Sequence, residues 1–433
     1  MKFAFKVVLL FLIIFNFLVP YVHYSCTVAV IIAAFYYFFT RSFPLKYFVS
    51  RYIVVILVGT LFIAFFDVVV VTLHANGGTG FFARFMVEGW MLACLVFVLP
   101  ILIDSEETAS NESMTIICYA FALQGLIHTL AVMIPAVGDF VIQFTSKGYQ
   151  AAAGSPMQGF RFYSLTGAPI FDLPAAYGVA HIVFFRLQLV PDQNYLRGWK
   201  AFAIMFFMIM GTILSGRTGF VGFGLGLAFY LIYNLTNVLQ ILKNLLKIAG
   251  GFLCVLALFF TVLTPRQRSV FVDMIFPFAF EAYYNWRDTG QLRTASTDAL
   301  ENVHYFPLDT STVLWGDGVR LSKYPSTDAG YMNHLMVGGI FYLLLLILYQ
   351  LFYFWQPMNL AREEHSRDGD INFFYFLLLF IHMFILEYKG AAIGQIHIVE
   401  VMLLYIGISY LSEQYALEEE DSIEEQLVES AYA

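Results

Sequence analysis

The sequence predicts an all-α polytopic integral membrane protein, and three observations support this. Hydrophobic residues make up 60% of the 433 positions, charged residues only 12%, and the mean hydropathy is +0.73. Soluble domains carry about 25% charged residues, so a soluble enzyme, a disordered chain and a nucleic-acid binder with a basic face are excluded. Apolar runs of membrane-spanning length recur along the chain. Aromatic residues reach 18%, which suits lipid-facing Phe and interfacial Tyr and Trp.

About twelve apolar runs are long enough to form transmembrane helices. They centre on 4–22, 24–40, 50–73, 84–103, 114–137, 172–190, 199–215, 217–234, 246–264, 331–355, 371–388 and 391–411. The first run follows Lys2 and Lys6 and lacks a small-residue cleavage site, so we expect a retained helix. The chain up to 412 is therefore predicted to be a single transmembrane domain.

The distribution of Lys and Arg predicts the orientation. With the N-terminus in the cytoplasm, twelve basic residues fall in cytoplasmic segments, whereas the short external turns hold only Arg84, Arg217 and Lys389. The acidic segment 104–113 runs against this bias. We therefore expect both termini in the cytoplasm and two long extracytoplasmic loops, at about 138–171 and 265–330. Long loops of this kind are usually functional.

The net charge of −8 arises from the C-terminal segment alone. Residues 413–433 contain eight acids and no Lys or Arg, and the rest of the chain has 23 acids and 23 bases. This segment is predicted to be an acidic, solvated cytoplasmic tail without a catalytic role. The four cysteines lie in or beside apolar runs without CxxC spacing, so no disulfide framework and no zinc site is predicted.

Arg217 is the first candidate for function. It lies in the turn 215–219, with sequence SGRTG, between two apolar runs. A charge at this depth either binds a ligand or reaches the headgroups as an interfacial side chain, and the turn alone favours neither interpretation. The next helix opens with Gly222 and Gly226, a GxxxG pair that predicts close helix packing.

Arginines in the two long loops are further candidates, because the planar guanidinium matches phosphate oxygens. Arg161 belongs to the first loop, and Arg293 and Arg320 belong to the second. The second loop has eight acids against six bases, so most of its arginines are expected to be ion-paired. Asp298 and Glu301 have the spacing of a capping box for a short helix there.

Ionisable groups near the spans allow more than one interpretation. Asp328 lies just before the tenth span, where it is either a helix N-cap or a site residue, and an N-cap is favoured on position alone. Other acids and histidines lie within spans, and interhelical hydrogen bonds are favoured over an ion pathway. These residues are Asp67, Glu387, Glu400, His128, His382 and His397.

Three stretches give the chain a resemblance to the Wzy-type O-antigen and exopolysaccharide polymerases, of the O-antigen polymerase/ligase family. The turn 214–219 (LSGRTG) resembles the family's Ser-Arg-Thr/Gly turn before a Gly-rich helix. The segment 160–169, with Phe160-Arg161 and then Thr166-Gly167, resembles the entry to the span after the first outer loop. The motifs 315–318 (WGDG) and 328–331 (DAGY), followed by 338–339 (GG), resemble the end of the second loop.

The resemblance implies a GT-C-like glycosyltransferase of the bacterial inner membrane, with no metal and no cofactor. Its substrates would be polyprenyl-pyrophosphate-linked oligosaccharides in the lipid bilayer, with a chain-length-determining co-polymerase as a further partner and no nucleic acid. Arg217, Arg161, Arg293 and Arg320 would bind the pyrophosphate, and Asp328 would act on the acceptor hydroxyl. An O-antigen ligase is the alternative, although the ligases typically have His-Asn where this chain has Asp328-Ala329. A lipid-linked oligosaccharide flippase or other transporter is the alternative from another class.

Overall fold

The structure, a computed structural model, describes most of the chain. The described residues are 3–40, 50–74, 81–103, 105, 108–153, 159–189, 196–235, 243, 250, 253–254, 256–257, 259–261, 263–318, 327–393 and 397–432. In this part of the chain nearly all regular structure is helical, and the two strands that occur form one short antiparallel pair.

The N-terminal half opens with apolar helices around that hairpin. These elements are α1 (Phe3–Phe15), β1 (Leu18–Val19), β2 (His23–Tyr24), α2 (Ser25–Thr40), α3 (Arg51–Leu73), α4 (Phe82–Leu102) and α5 (Ala109–Met133). The first long polar segment then forms α6 (Pro135–Ile142), α7 (Lys147–Ala153) and a 3-10 turn (Gly159–Tyr163). The fifth predicted span thus ends about four residues early, because Pro135 cannot continue the helix and forces Ile134 into an extended conformation.

Three further apolar helices lead to the second long polar segment. They are α8 (Asp172–Leu187), α9 (Gly198–Ser215) and α10 (Gly219–Tyr233). The segment itself consists of short helices: α11 (Pro265–Ser269), a π-helix (Val270–Ile275), α12 (Phe276–Ala279), α13 (Glu281–Thr289), α14 (Ala295–Ala299), a second π-helix (Leu300–His304) and α15 (Thr310–Trp315). Thr294, not Asp298, caps α14, and it accepts a hydrogen bond from the Thr297 amide. The predicted capping box was therefore wrong.

The chain ends with α16 (Gly330–Glu363), α17 (Arg367–Lys389) and α18 (His397–Tyr432). Six of the helices in the described residues, α3, α4, α5, α9, α16 and α17, are long and apolar enough to cross a membrane. The protein is therefore a multi-pass, all-α membrane protein. Ten of the predicted spans lie largely on helices. The first, predicted at 4–22, is helical only to Phe15 and then continues into the hairpin, and the ninth, at 246–264, lies mostly outside the described residues.

The centre of the bundle is formed by α5, α8 and α18, which pack against one another. Helix α8 is buried along almost its whole length, since small residues such as Ala176 and Gly178 let its neighbours approach closely. Gly222 of α10 lies directly against the backbone of Gly178, and Gly226 against Ile182 and Phe185, so the predicted packing role of the GxxxG pair is confirmed. On α3, by contrast, large apolar side chains such as Phe62 and Phe65 are exposed, as lipid-facing side chains are.

A kink in α16 connects the bundle to the second polar segment. Gly339 has a φ of +70°, and the backbone of Leu314 and Trp315 packs against it, which leaves no room for a side chain. The amides of Asp317 and Gly318 donate to the carbonyls of Met336 and Val337 at 2.7 and 2.9 Å. The WGDG motif at 315–318 therefore fixes the end of the second polar segment to the kinked helix.

The predicted tail does not begin at residue 413. Helix α18 continues to Tyr432, and the Glu413 carboxylate accepts a hydrogen bond of 2.7 Å from the backbone amide of Ser110. Glu413 is thus part of the packed bundle.

Candidate functional site

A polar cavity of about 550 Å³ lies where the two long polar segments meet one end of the helix bundle. Its walls come from the first turn of α4, the first polar segment, the start of α8, the α9–α10 turn, the second polar segment and the end of α17. Among the described residues, four basic side chains line it, against two acidic ones. These are Arg84, Arg161, Arg217 and Lys389, with Asp172 and Asp328. An excess of fixed positive charge in a recess of this size suits a phosphorylated headgroup.

Arg161 enters the cavity from the 3-10 turn of the first polar segment. Its Nε donates to the carbonyl of Ser215 at 2.8 Å, and its Nη2 donates to the carbonyl of Ile170. Burial and the nearby Arg217 guanidinium lower the pKa of Arg161 to about 10. Arg161 is therefore protonated at neutral pH and is held rigidly against the turn that carries Arg217.

Arg217 enters from the α9–α10 turn, whose shape depends on Gly216. This glycine has a φ of +154°, and a Cβ there would lie 3.4 Å from Nη2 of Arg161. The Arg217 guanidinium forms an ion pair with Glu281 and lies 3.3 Å from Ser296 Oγ. Partial burial lowers its pKa from the ordinary value. The turn thus places two arginines from distant parts of the sequence side by side.

The ring of Phe278 supports both arginines. The Cζ atom of Arg217 lies 5.0 Å from the ring centroid, and that of Arg161 lies 5.4 Å from it. Cation–π contacts of this kind stabilise guanidinium groups out of bulk water. Phe278 belongs to α12 of the second polar segment, so this segment covers the arginines that the helix bundle presents.

Lys389 and Arg84 complete the basic lining, and sequence reasoning did not select them as site residues. Lys389 ends α17, and its Nζ donates to Thr218 Oγ1 at 2.8 Å. Arg84 lies in the first turn of α4. Both had a signal in the sequence, because each is a single base in a short turn beside an apolar run.

Asp328 lines the same cavity and does not cap a helix. The N-cap of α16 is Ala329, no side chain caps that helix, and the Asp328 side chain is 85% exposed. The favoured N-cap interpretation was therefore wrong. The Asp328 amide donates to Nδ1 of His304 at 3.1 Å, and Nε2 of that ring lies 3.7 Å from Oδ2 of Asp328. Because Nδ1 accepts from this amide, the proton of the neutral ring lies on Nε2, on the side of the Asp328 carboxylate.

One of the candidate arginines, Arg293, is not brought to this cavity. Arg293 lies in the second polar segment, where its guanidinium pairs with Asp298 at 2.8 Å and with Glu301. These are ion pairs within one loop, as the excess of acids in that segment predicts. Arg320 lies outside the described residues.

Most of the singled-out ionisable groups within helices make hydrogen bonds. Asp67 accepts from the amides of Phe81 and Phe82 at 3.0 and 2.8 Å. Glu387 accepts from the amides of Ala392 and Ile393 at 2.7 and 2.9 Å. For Asp67 the predicted interhelical hydrogen bond is confirmed, whereas the bonds of Glu387 lie within the turn that follows its own helix. Glu387 also lies 2.9 Å from the buried His334 ring, and it orders the turn that follows Lys389.

Comparison with known proteins adds no relative, because the chain matches no known protein-family profile, no curated protein and no solved structure. The chemistry of the cavity must therefore be judged from its own residues. It offers two converging guanidinium groups, a lysine and an exposed carboxylate beside an imidazole. Such a set can bind a doubly charged phosphate ester and accept a proton close to it.

Proposed function

We propose that the protein is a membrane glycosyltransferase that polymerises polyprenyl-pyrophosphate-linked oligosaccharide repeat units on the periplasmic face of the bacterial inner membrane. The observation that carries the proposal is the meeting of Arg161 and Arg217 over one ring in a polar cavity at an end of the helix bundle. A pyrophosphate linked to a polyprenyl chain would place its charge in that cavity and its hydrocarbon along the apolar helices.

In the proposed reaction, the acceptor hydroxyl attacks the anomeric carbon of the donor glycan. The new glycosidic C–O bond forms as the bond between the anomeric carbon and the pyrophosphate oxygen breaks. Negative charge then develops on the leaving pyrophosphate, where Arg161, Arg217 and Lys389 stabilise it through preorganised donors. The leaving group is already activated, so the residues of the chain need only bind, orient and move one proton.

Asp328 is the base that accepts the proton of the attacking hydroxyl in this proposal. Asp328 lines the cavity, and its backbone amide is bonded to the His304 ring, which lies beside its carboxylate. A carboxylate that is exposed in the empty cavity becomes an effective base only when substrate excludes water from it. Asp328 therefore both positions and deprotonates the acceptor in this proposal.

The proposal includes the membrane topology. It requires twelve spans, both termini in the cytoplasm and both long polar segments in the periplasm. Positive charge in the short turns supports this orientation. The geometry is compatible with it, since Arg84, Arg217 and Lys389, each from a short outer turn, meet both long segments at one end of the bundle. Undecaprenyl-pyrophosphate glycans are presented on that face, whereas nucleotide sugars are not.

Reconstitution with purified lipid-linked repeat units tests the proposal. We expect the wild-type protein in proteoliposomes to convert them into a ladder of lengths, and a chain-length-determining co-polymerase to narrow that ladder. A single transfer to lipid A core would identify a ligase instead. Movement of the intact lipid-linked unit across the bilayer without a new glycosidic bond would identify a flippase, and either result would contradict the polymerase proposal.

A further inference from the structure

A second group of ligand-type side chains lies beneath the cavity, between α4 and α18. Glu88 is in the second turn of α4, and His397 and Glu400 lie one turn apart on the same face of α18. One donor atom from each of the three residues lies within 4.8 Å of the other two. At a rise of about 1.5 Å per residue, Glu88 is roughly 9 Å along the axis from the start of α4.

Burial of two ionised carboxylates costs free energy unless a positive charge lies between them. The Glu88 and Glu400 side chains are fully buried in the bundle. Apart from the facing Glu400 carboxyl group, Oε2 of Glu88 has no hydrogen-bond partner among the described residues, and neither does Nδ1 of His397. Two facing carboxyl groups in an apolar interior can both be ionised only with a cation between them. Without a cation, they must share a proton.

The surroundings of the cluster have two features of a cation site. The Tyr349 hydroxyl donates to Oε1 of Glu88 at 2.7 Å and lies 2.6 Å from Thr60 Oγ1 and 2.9 Å from the Tyr353 hydroxyl. Outer partners of this kind orient a ligating carboxylate. A cavity of about 250 Å³ is lined by His397 and shares Arg84 with the large cavity, which provides an entry path.

We propose that Glu88, His397 and Glu400 bind a divalent transition-metal cation, for which Zn²⁺ and Mn²⁺ are the candidates. Two carboxylates and one imidazole match these ions, and three protein ligands leave a position for water from the smaller cavity. A dication balances the two carboxylates, so the assembled site is neutral within the membrane interior. Arg84, one turn before Glu88 on α4, and Asp172 are charged side chains that line the smaller cavity. The site connects α4 to α18 and is separate from the arginines of the proposed reaction.

Metal analysis of the purified full-length protein tests this proposal. After chelation and dialysis in detergent, titration with ZnCl₂ or MnCl₂ should restore about one metal ion per chain, measured by mass spectrometry, and should raise Tm by several degrees. Glu400→Gln and His397→Gln should lose both the metal and the Tm response. Glu88→Gln is the decisive variant, because its amide still accepts from Tyr349 and can donate to Glu400, so the fold should be retained.

Glu112→Gln is the matched control. Glu112 lies on the neighbouring helix α5 and pairs with Lys6 at 2.8 Å, away from the cluster. This variant should bind one metal ion as wild type does. The proposal is overturned if the wild type retains no more metal than Glu88→Gln, or if ZnCl₂ and MnCl₂ stabilise Glu88→Gln as much as wild type. Either result would show that the two carboxyl groups share a proton.

Discussion

Replacing Arg217 by lysine should distinguish a phosphate-binding guanidinium from an interfacial charge. In the structure the Arg217 guanidinium contacts Glu281, Ser296 and the Phe278 ring at once. A lysine keeps the charge but loses the planar fork and cannot span these partners. We expect Arg217→Lys to impair polymer synthesis strongly and Arg217→Ala to nearly abolish it.

The magnitude follows from the type of contact that is lost. Removing one preorganised donor to a developing anion costs about 3 kcal/mol, roughly a hundredfold in rate. The effect on folding should be much smaller. The Arg217–Glu281 pair is 18% and 24% exposed, and partly exposed ion pairs contribute about 1 kcal/mol or less to stability. Activity should therefore fall by two orders of magnitude in a protein whose Tm is close to that of wild type.

Arg287 provides the matched control for this experiment. Like Arg217, it is an arginine that is ion-paired and lies near an aromatic ring: it pairs with Asp288 at 2.7 Å and lies 5.1 Å from the Tyr284 ring. It belongs to the second polar segment but does not line the cavity. Arg287→Ala should leave chain formation in reconstituted membranes unchanged. An active Arg217→Lys variant, with Arg217→Ala only mildly affected, would refute phosphate recognition and support an interfacial side chain.

Three further predictions concern the base, the topology and the tail. Asp328→Asn should slow polymerisation strongly without lowering Tm, because Asp328 caps no helix; a normal rate would exclude it as the base. In an otherwise cysteine-free protein, single cysteines within 145–160 and 290–315 should react with an impermeant thiol reagent in intact spheroplasts. Labelling only after lysis would reject the periplasmic placement. A chain that ends at Leu417 should still synthesise polymer in membranes, since the segment that is removed carries charge of one sign and few apolar residues; complete loss at normal expression would contradict this.

The multi-pass helical fold could be predicted because each membrane-spanning helix requires a continuous run of apolar residues. A run of about 20 apolar residues is readable without knowledge of its neighbours. Helix ends were less predictable when they depended on one residue. Pro135 ended α5 early, and Glu413 joined the bundle through the Ser110 amide, which lies far away in the sequence.

The candidate site could be predicted only in part. Arg217 was recognisable because a base beside an apolar run needs a partner or an interface, and Arg161 because a guanidinium in a long polar loop matches phosphate oxygens. That both lie near one aromatic ring depends on tertiary structure and could not be predicted, since Phe278 comes from another segment. Lys389 looked like an ordinary basic residue of a short turn, of the kind used to predict membrane orientation. His304 and Asp328 are 24 residues apart, so no local sequence pattern predicts that they lie side by side. Glu88 was overlooked because its partners on α18 lie at the other end of the chain.

Binding of a pyrophosphate should stabilise the protein, because the cavity holds more positive than negative charge before the anion arrives. Farnesyl pyrophosphate is a suitable probe in detergent, and at a hundredfold excess over its Kd it should add about 2.7 kcal/mol to the free energy of unfolding. A bound anion favours protonated Arg161, whose pKa is about 10 in the free protein, so the contribution of Arg161 to the affinity should be lost as pH rises through that value. Lys389→Met and Arg217→Ala should reduce the Tm shift and Arg287→Ala should preserve it. An equal Tm shift in Arg217→Ala and wild type would mean that only the lipid tail is bound. It would contradict binding of the pyrophosphate group in the cavity.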